Sequence, residues 1–224
     1  FGLARNASIR RSPGMSRHIV LLGDSIFDNG MYVPGGPSVY EHLQRVLGTG
    51  DKATLLAVDG ARVASVHMQI ERIPTDATHL VLSIGGNNAL WLAGNVFEEA
   101  ATDVRSAMQL IGKEIELFRN EYDELFESLR RLQLPLVVCS VYDSIPGLKI
   151  EESAGLMMFN NLITRKVFEL GLPLIDLRLL CSETSDFSAV SPIEPSASGG
   201  GKIARAIHAA VERIKEAPFV ICSD

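Results

Sequence analysis

Five short runs of apolar, largely β-branched residues recur along the chain, and segments with helical patterns lie between them. Such near-continuous apolar runs are typical of strands buried on both faces, as in a parallel sheet that helices cover on each side. The alternation therefore predicts an α/β fold, a three-layer α/β/α sandwich around a five-stranded parallel sheet. The five runs span residues 18–22, 53–58, 79–84, 136–141 and 172–177.

The segments between the runs predict helices with recognisable ends. Ser38 precedes an apolar face at helical spacing and is expected to cap a helix. Residues 96–132 contain no proline, and we expect this long helical segment to break near Gly112, its only glycine. A last helix is predicted over residues 202–215.

The sequence predicts one domain over residues 15–224, preceded by a tail. A chain of 224 residues suits one sizeable core, and no internal repeat marks a second domain. Residues 1–14 are basic and lack the apolar core of a secretory signal. We expect this tail to be disordered or foreign to the natural chain, because Met15 has the position of a natural start.

Composition and charge argue against several classes of partner. With 46% hydrophobic and 21% charged residues, the chain has the balance of a soluble globular protein. A net charge of −6 argues against binding to nucleic acid. No apolar run approaches the roughly 20 residues that span a bilayer, so we expect no stable membrane insertion.

The cysteines and glycines argue against metals and cofactors. Cys139, Cys181 and Cys222 are widely spaced and odd in number, which suits reduced thiols in the cytoplasm better than disulfides or a zinc site. No segment matches the dinucleotide-binding or phosphate-binding glycine patterns. We therefore expect a cytoplasmic protein without cofactor or metal, acting on a small molecule. The sequence does not indicate an oligomeric state.

The turn after the first run carries a serine, in the motif Gly23-Asp24-Ser25. In an open parallel sheet, ligands bind beyond the carboxyl ends of the strands, so a serine here occupies the position of a nucleophile. The same three residues are also common in an ordinary turn that leads into a helix. Asp24 is expected to hold this turn through backbone hydrogen bonds rather than to act as a base.

Small or polar residues follow the other runs at the same edge of the sheet. Gly60 follows the second run and Asn87 the third, while residues 191–196 precede the last helix. Acyl transfer needs a hydroxyl nucleophile, a general base and N–H donors for the developing oxyanion. Ser25 offers a hydroxyl and a backbone N–H, Gly60 an unobstructed backbone N–H, and Asn87 a side-chain donor.

At these positions the chain resembles the GDSL esterase/lipase family, also called the SGNH hydrolases, from about residue 17 to residue 215. Ile26 stands where the family usually has Leu, and Asn88 where Asp is common. The resemblance implies a flavodoxin-like sandwich and the hydrolysis or transfer of an acyl group through a seryl intermediate. Three blocks carry it: Gly23-Asp24-Ser25, Asp59-Gly60-Ala61 and Gly85-Gly86-Asn87-Asn88.

The fourth block of the family is altered in this chain. The family has Asp-x-x-His before the last helix, with the histidine as general base, whereas this chain has Ser191-Pro192-Ile193-Glu194. Glu194 thus occupies the histidine position and Ser191 the aspartate position. Of the chain's histidines, only His67 follows a strand end closely enough to be considered as a substitute.

A glutamate could replace the histidine at some loss of driving force. The ordinary pKa values of Glu and His, about 4.3 and 6.5, correspond to a handicap of about 3 kcal/mol. Burial would raise the pKa of the carboxyl and recover part of this. The expected site is a Ser25–Glu194 dyad in which the Ser191 hydroxyl supports the carboxylate. The alternative is a surface glutamate that caps the last helix in a site without a base.

The sequence thus predicts a serine esterase acting on carboxylic or thio esters. Ser25 and Glu194 are the expected catalytic residues, and the oxyanion hole is formed by Ser25, Gly60 and Asn87. Two alternatives stay open: a catalytically degenerate binder of an acyl or carbonyl ligand, and an acyltransferase on the same scaffold.

Overall fold

A single sheet of six parallel strands forms the centre of the protein in the computed structural model, which describes residues 16–223. The strand order is β2-β1-β3-β4-β5-β6, so β1 and β3 lie inside the sheet. The predicted tail over residues 1–14 and its boundary at Met15 lie outside the described residues. The strands are β1 (His18–Gly23), β2 (Lys52–Leu55), β3 (His79–Ser83), β4 (Leu136–Cys139), β5 (Leu174–Ile175) and β6 (Val220–Ile221).

The parallel α/β prediction is confirmed, with one strand more than expected. β6 pairs in parallel with β5 through Leu174↔Val220 and Ile175↔Ile221. A strand of two residues is too short to show any periodicity in the sequence. Its pairing with the edge of the sheet depends on the tertiary arrangement of the chain end.

Helices cover both faces of the sheet, and each face has its own apolar core. Residues of α2, α3, α4 and α5 pack on one face, and residues of α1, α6 and α7 pack on the other. Because the central strands β1 and β3 contribute to both cores, they are buried almost completely, as their near-continuous apolar sequences indicate. The α-helices within the described range are α1 (Val39–Val46), α2 (Val66–Ile70), α3 (Gly86–Asn95), α4 (Val104–Arg131), α5 (Ile150–Glu169), α6 (Leu177–Leu180) and α7 (Ala197–Glu212).

The expected break at Gly112 is wrong, because α4 runs unbroken through this glycine for 28 residues. A glycine inside a helix costs about 1 kcal/mol relative to alanine. The buried side chains of Phe118, Tyr122 and Phe126 on the same helix outweigh that cost. The chain instead leaves helical structure before α4, where Asp103 caps the new helix by accepting a hydrogen bond from Ser106 N–H at 2.7 Å.

Two further helix ends bear on the sequence predictions. Ser38 caps α1 in a capping box with Glu41, as predicted. The last helix begins earlier than expected, at Ala197, and its cap is Ser196, whose hydroxyl accepts a hydrogen bond from Gly199 N–H at 3.1 Å. Gly199 is required here, because a Cβ would lie 2.2 Å from the carbonyl oxygen of Asp186. None of the helices among residues 16–223 is long and apolar enough to cross a membrane.

Candidate active site

A cleft of about 310 Å³ opens at the carboxyl edge of the sheet. Its polar wall includes Asp24 and Ser25 after β1, Asn87 at the start of α3, and Glu194 before α7. Three separate segments thus bring these four side chains to one cavity. Gly60 does not line the cleft itself, but it precedes Ala61, whose carbonyl accepts a hydrogen bond from Asn87 Nδ2 at 3.0 Å.

The serine turn depends on a glycine at the end of β1. Gly23 has a φ of +128°, and a Cβ there would lie 1.7 Å from the carbonyl oxygen of Ser83 in β3. Asp24 N–H then donates to Ser83 O at 3.2 Å. The Asp24 carboxylate accepts a hydrogen bond from Ile26 N–H at 3.1 Å, which closes the turn around Ser25.

Glu194 is a buried residue in contact with Ser25. Its carboxyl group interacts with the Ser25 hydroxyl, which favours the ionised form, and the residue is only 4% exposed. Burial, together with the negative charge of Asp59, raises the pKa of Glu194 to about 7 from an ordinary value of 4.5, although the Ser25 hydroxyl opposes the rise. Because Glu194 is buried and Ser196 caps α7, the alternative of a surface capping glutamate is wrong.

The two oxygens of the Glu194 carboxyl group have different surroundings. Oε2 is buried and has no hydrogen-bond partner within residues 16–223, whereas Oε1 is not both buried and unpaired. Ser191 contributes its backbone carbonyl, which accepts a hydrogen bond from Glu194 N–H at 3.0 Å. The expected hydrogen bond from the Ser191 hydroxyl is therefore not formed at Oε2.

Side chains from two other loops fix the backbone around Glu194. Tyr142 Oη donates to the carbonyl of Ile193 at 2.6 Å, and Asn29 Nδ2 donates to the carbonyl of Pro195 at 3.0 Å. The two residues that flank Glu194 are thus held from separate directions. Tyr142 directly follows the apolar run over residues 136–141, but no local pattern in the sequence indicates this long-range contact.

The predicted oxyanion donors keep N–H groups available. The backbone N–H groups of Ser25 and Gly60 donate to no acceptor among the described residues. Gly60 has a φ of +76°, a left-handed conformation that favours glycine. Asn87 uses one side-chain N–H on Ala61, and its amide carries a second N–H.

A second buried carboxyl group lies beside the serine. Burial and the charge of Glu194 raise the pKa of Asp24 to about 7, although the hydrogen bond from Ile26 opposes this. Asp24 and Glu194 are both in the cleft wall. The site therefore contains two carboxyl groups whose ionisation is unfavourable, and no histidine lies with them.

The histidines serve other parts of the structure. His18 begins β1 at the opposite edge of the sheet, where Nδ1 lies 2.9 Å from Asp76 Oδ1 and Nε2 lies 2.7 Å from Thr54 Oγ1. His42 bonds the carbonyl of Ala197, and His67 lies in α2 outside the cleft lining. In the described part of the chain, no group of three or more His, Cys, Asp or Glu side chains has the geometry of a metal site.

Most of the remaining cleft wall is apolar. Gly155 makes this shape possible, because a Cβ there would lie 3.0 Å from Phe97 Cζ and 3.2 Å from Leu92 Cδ2. We call this region the apolar arm; its walls come from α3, the loop before α5 and α5 itself. The arm is formed by Leu90, Leu92, Ala93, Phe97, Ile145, Pro146, Leu148 and Leu156.

The protein has the SGNH hydrolase fold. Its strand order, the helices on both faces of the sheet and the cleft at the carboxyl edge are those of this three-layer fold. The model of the GDSL-like lipase/acylhydrolase family matches residues 21–216. The chain belongs to this family. No curated protein matches it in sequence.

Solved structures resemble the chain in fold at low sequence identity. A lipase from a goat rumen metagenome, Lip_vut3, has a TM-score of 0.67 and 14% identity, over 87% of this chain and 97% of that one. The extracellular lipase of Streptomyces rimosus has a TM-score of 0.63 and 17% identity, over 87% and 100%. The acetyl xylan esterase AlAXEase has a TM-score of 0.63 and 18% identity, over 87% and 99%.

Proposed function

We propose that this protein is a serine ester hydrolase in which Ser25 is the nucleophile and Glu194 is the general base. One observation carries the proposal: the Ser25 hydroxyl and the buried Glu194 carboxyl group line the same cleft and interact with each other. A nucleophile beside a carboxyl base, with N–H donors on the neighbouring loops, is the arrangement that acyl transfer requires. Membership of an acylhydrolase family supports the same reaction class.

The reaction follows from the positions of these groups. Ser25 Oγ attacks the ester carbonyl carbon while its proton passes to Glu194. The carbonyl oxygen becomes an oxyanion, which accepts hydrogen bonds from the N–H groups of Ser25, Gly60 and Asn87. Collapse breaks the bond to the alcohol oxygen, and the alcohol takes the proton from Glu194. Water then attacks the acyl-serine, gives a proton to Glu194, and the acid leaves as Ser25 regains its proton.

The raised pKa of Glu194 makes a carboxylate competent in this role. At ordinary pKa values a glutamate is a weaker base than a histidine by about 3 kcal/mol. With a pKa of about 7, Glu194 is as basic as an ordinary histidine. A difference in charge remains. Protonated histidine is a cation beside the oxyanion, whereas protonated Glu194 is neutral, so the oxyanion depends more on its N–H donors.

The apolar arm favours a substrate with an acyl chain. Lipases and acetyl xylan esterases share this fold, and an acetyl group would leave Leu90, Ala93 and Phe97 without an apolar partner. Each methylene buried against such a wall contributes up to about 0.8 kcal/mol. We therefore expect esters of longer, unbranched acids to be better substrates than acetates.

The test is the pH dependence of p-nitrophenyl hexanoate hydrolysis by the parent and single variants. The parent's rate should rise with pH through a midpoint near 7, because Glu194 accepts a proton only when ionised. Ser25→Ala and Glu194→Gln should each lose at least about 100-fold of this activity. Glu152→Gln is a matched control, since Glu152 lines the same cleft and is held by Lys149 instead.

Other results of the same assay would favour a different base, a binding protein or an acyltransferase. Full activity of Glu194→Gln would show that the base is another group. Binding of an ester without any Ser25-dependent turnover would identify a binder, and faster release of p-nitrophenol with an ester product when an alcohol is added would identify an acyltransferase.

A further inference from the structure

Four carboxylate residues lie on the serine turn and on the loops next to it, and we call them the acidic cluster: Asp24, Asp28, Asp59 and Glu194. The charge of Asp59 acts on both Glu194 and Asp24. Asp28 joins the cluster through Oδ2, which accepts a hydrogen bond from Asp59 N–H at 3.0 Å. Of the described residues that line the cleft, none is Lys, Arg or His. The serine therefore lies in a field of negative charge.

A buried atom of this cluster lacks a partner and points to a ligand. Glu194 is 4% exposed, and its Oε2 atom makes no hydrogen bond with any described residue. Leaving a buried carboxylate oxygen unpaired is unfavourable, so such atoms generally receive a donor or a positive charge from elsewhere. Glu194 lines the cleft, so a positively charged substrate group there would offset the charge of this carboxylate.

An aromatic ring adjoins the same cluster. Tyr32 is half-buried at the end of a short 3-10 helix, Gly30–Tyr32, and its hydroxyl donates to Asp59 Oδ2 at 2.7 Å. The hydrogen bond to Asp59 raises the pKa of Tyr32 to about 12, and the charges of Glu194 and Asp28 act in the same direction. An aromatic ring beside carboxylates is a favourable surrounding for a substituted ammonium group.

Two basic residues near the cleft-lining segments in sequence, Arg62 and Lys149, interact with side chains outside the acidic cluster. The Arg62 guanidinium lies 4.8 Å from the centre of the Trp91 ring, and Lys149 Nζ lies 3.6 Å from Glu152 Oε1. The apolar arm is built on α3 and α5, whereas Asp28, Tyr32 and Asp59 follow β1 and β2. Apart from Glu152 of α5, which pairs with Lys149, different elements carry the apolar arm and the acidic cluster.

We propose that the substrate is an ester of a positively charged alcohol, whose substituted ammonium group binds at Tyr32 and Asp59, within the negative field of the acidic cluster. The inference rests on the proposed function and names the alcohol part of its substrate. The positive charge of such a group is attracted to the acidic cluster and stabilises the negative charge of the oxyanion. After acyl transfer to Ser25 the cationic alcohol leaves with the proton from Glu194.

The experiment compares two esters of the same shape and acyl chain, butyrylcholine and its neutral isostere 3,3-dimethylbutyl butyrate, near pH 8.5. The parent should hydrolyse butyrylcholine with a kcat/KM about tenfold higher, as one close contact between opposite charges gives. The preference should shrink in about 1 M salt, where screening is strong. In Asp59→Asn the ratio of the two kcat/KM values should fall towards one. Glu71→Gln removes an exposed negative charge at the end of α2 and should keep the ratio.

A binding measurement separates failure of this inference from failure of the proposed function. Calorimetry with Ser25→Ala should give a lower Kd for butyrylcholine than for the isostere. Equal Ser25-dependent hydrolysis and equal binding of the two esters would overturn the cation site and leave the esterase standing. Preferential binding of butyrylcholine without turnover by the parent would support the cation site and overturn the esterase. Preference that persists in Asp59→Asn would overturn the assignment to Asp59.

Discussion

The substitution Glu194→Gln distinguishes a catalytic carboxyl group from a structural one, because the two roles predict opposite effects on stability. Burial raises the pKa of Glu194 from 4.5 to about 7, so the folded protein holds the protonated form more readily than the unfolded chain does. The cost of ionising the buried group is absent below about pH 4. It grows as the pH rises between the two pKa values and is complete above about pH 7.

The size of the effect follows from the same shift. At about 1.4 kcal/mol per pKa unit, a rise of about 2.5 units corresponds to about 3 kcal/mol of free energy of unfolding. A glutamine has the shape of the protonated glutamate and keeps an oxygen that can accept the Ser25 hydrogen bond. Relative to the parent, Glu194→Gln should therefore gain about 3 kcal/mol in stability between pH 4 and pH 8 while it loses activity.

Urea unfolding of parent and variant at several pH values measures this difference directly. The change in the difference with pH is the decisive quantity, because any constant effect of the amide cancels. Glu71→Gln, on the exposed end of α2, is the control and should show no such change. A difference that stays constant with pH, or a variant that becomes less stable at pH 8, would refute the reasoning.

Three further substitutions test other parts of the site. Between about pH 5 and 6.5, Asp24 holds a proton in the folded protein but not in the unfolded chain, because its pKa is raised. This group should make the parent's stability fall by about 1.4 kcal/mol per pH unit, and Asp24→Asn should abolish that contribution; an unchanged slope in urea unfolding would contradict this. Tyr142→Phe leaves the Ile193 carbonyl without its donor and should lower the free energy of unfolding by about 1–3 kcal/mol and reduce kcat; an unchanged kcat would show that Tyr142 does not position Glu194. Ala93→Phe should fill the apolar arm and lower the rate on p-nitrophenyl hexanoate relative to acetate, whereas Ala154→Phe, at an exposed position of α5, should not change that ratio.

The candidate site divides into parts that a sequence can predict and parts that it cannot. Ser25 and Asn87 stand within a few residues of apolar strands, so their arrival at one edge of the sheet follows from parallel topology alone. Gly60 was predicted to share the same edge, and its contact with the cleft through Ala61 is indirect. Tyr142 is 51 positions from its partner in the Glu194 loop, and Asn29 is 166 positions from its partner. No local sequence pattern predicts contacts over such separations.

The sequence by itself determined the α/β class, the parallel sheet and the serine turn, because these depend on local periodicity and on the short range of turn chemistry. The tertiary structure decided the sixth strand, the continuity of α4 through Gly112 and the burial of Glu194. Each of these depends on what surrounds a segment after the chain has folded. The basicity of Glu194 is the clearest case: its residue type sets an ordinary pKa of 4.5, and only the desolvation of the folded loop raises that value to about 7.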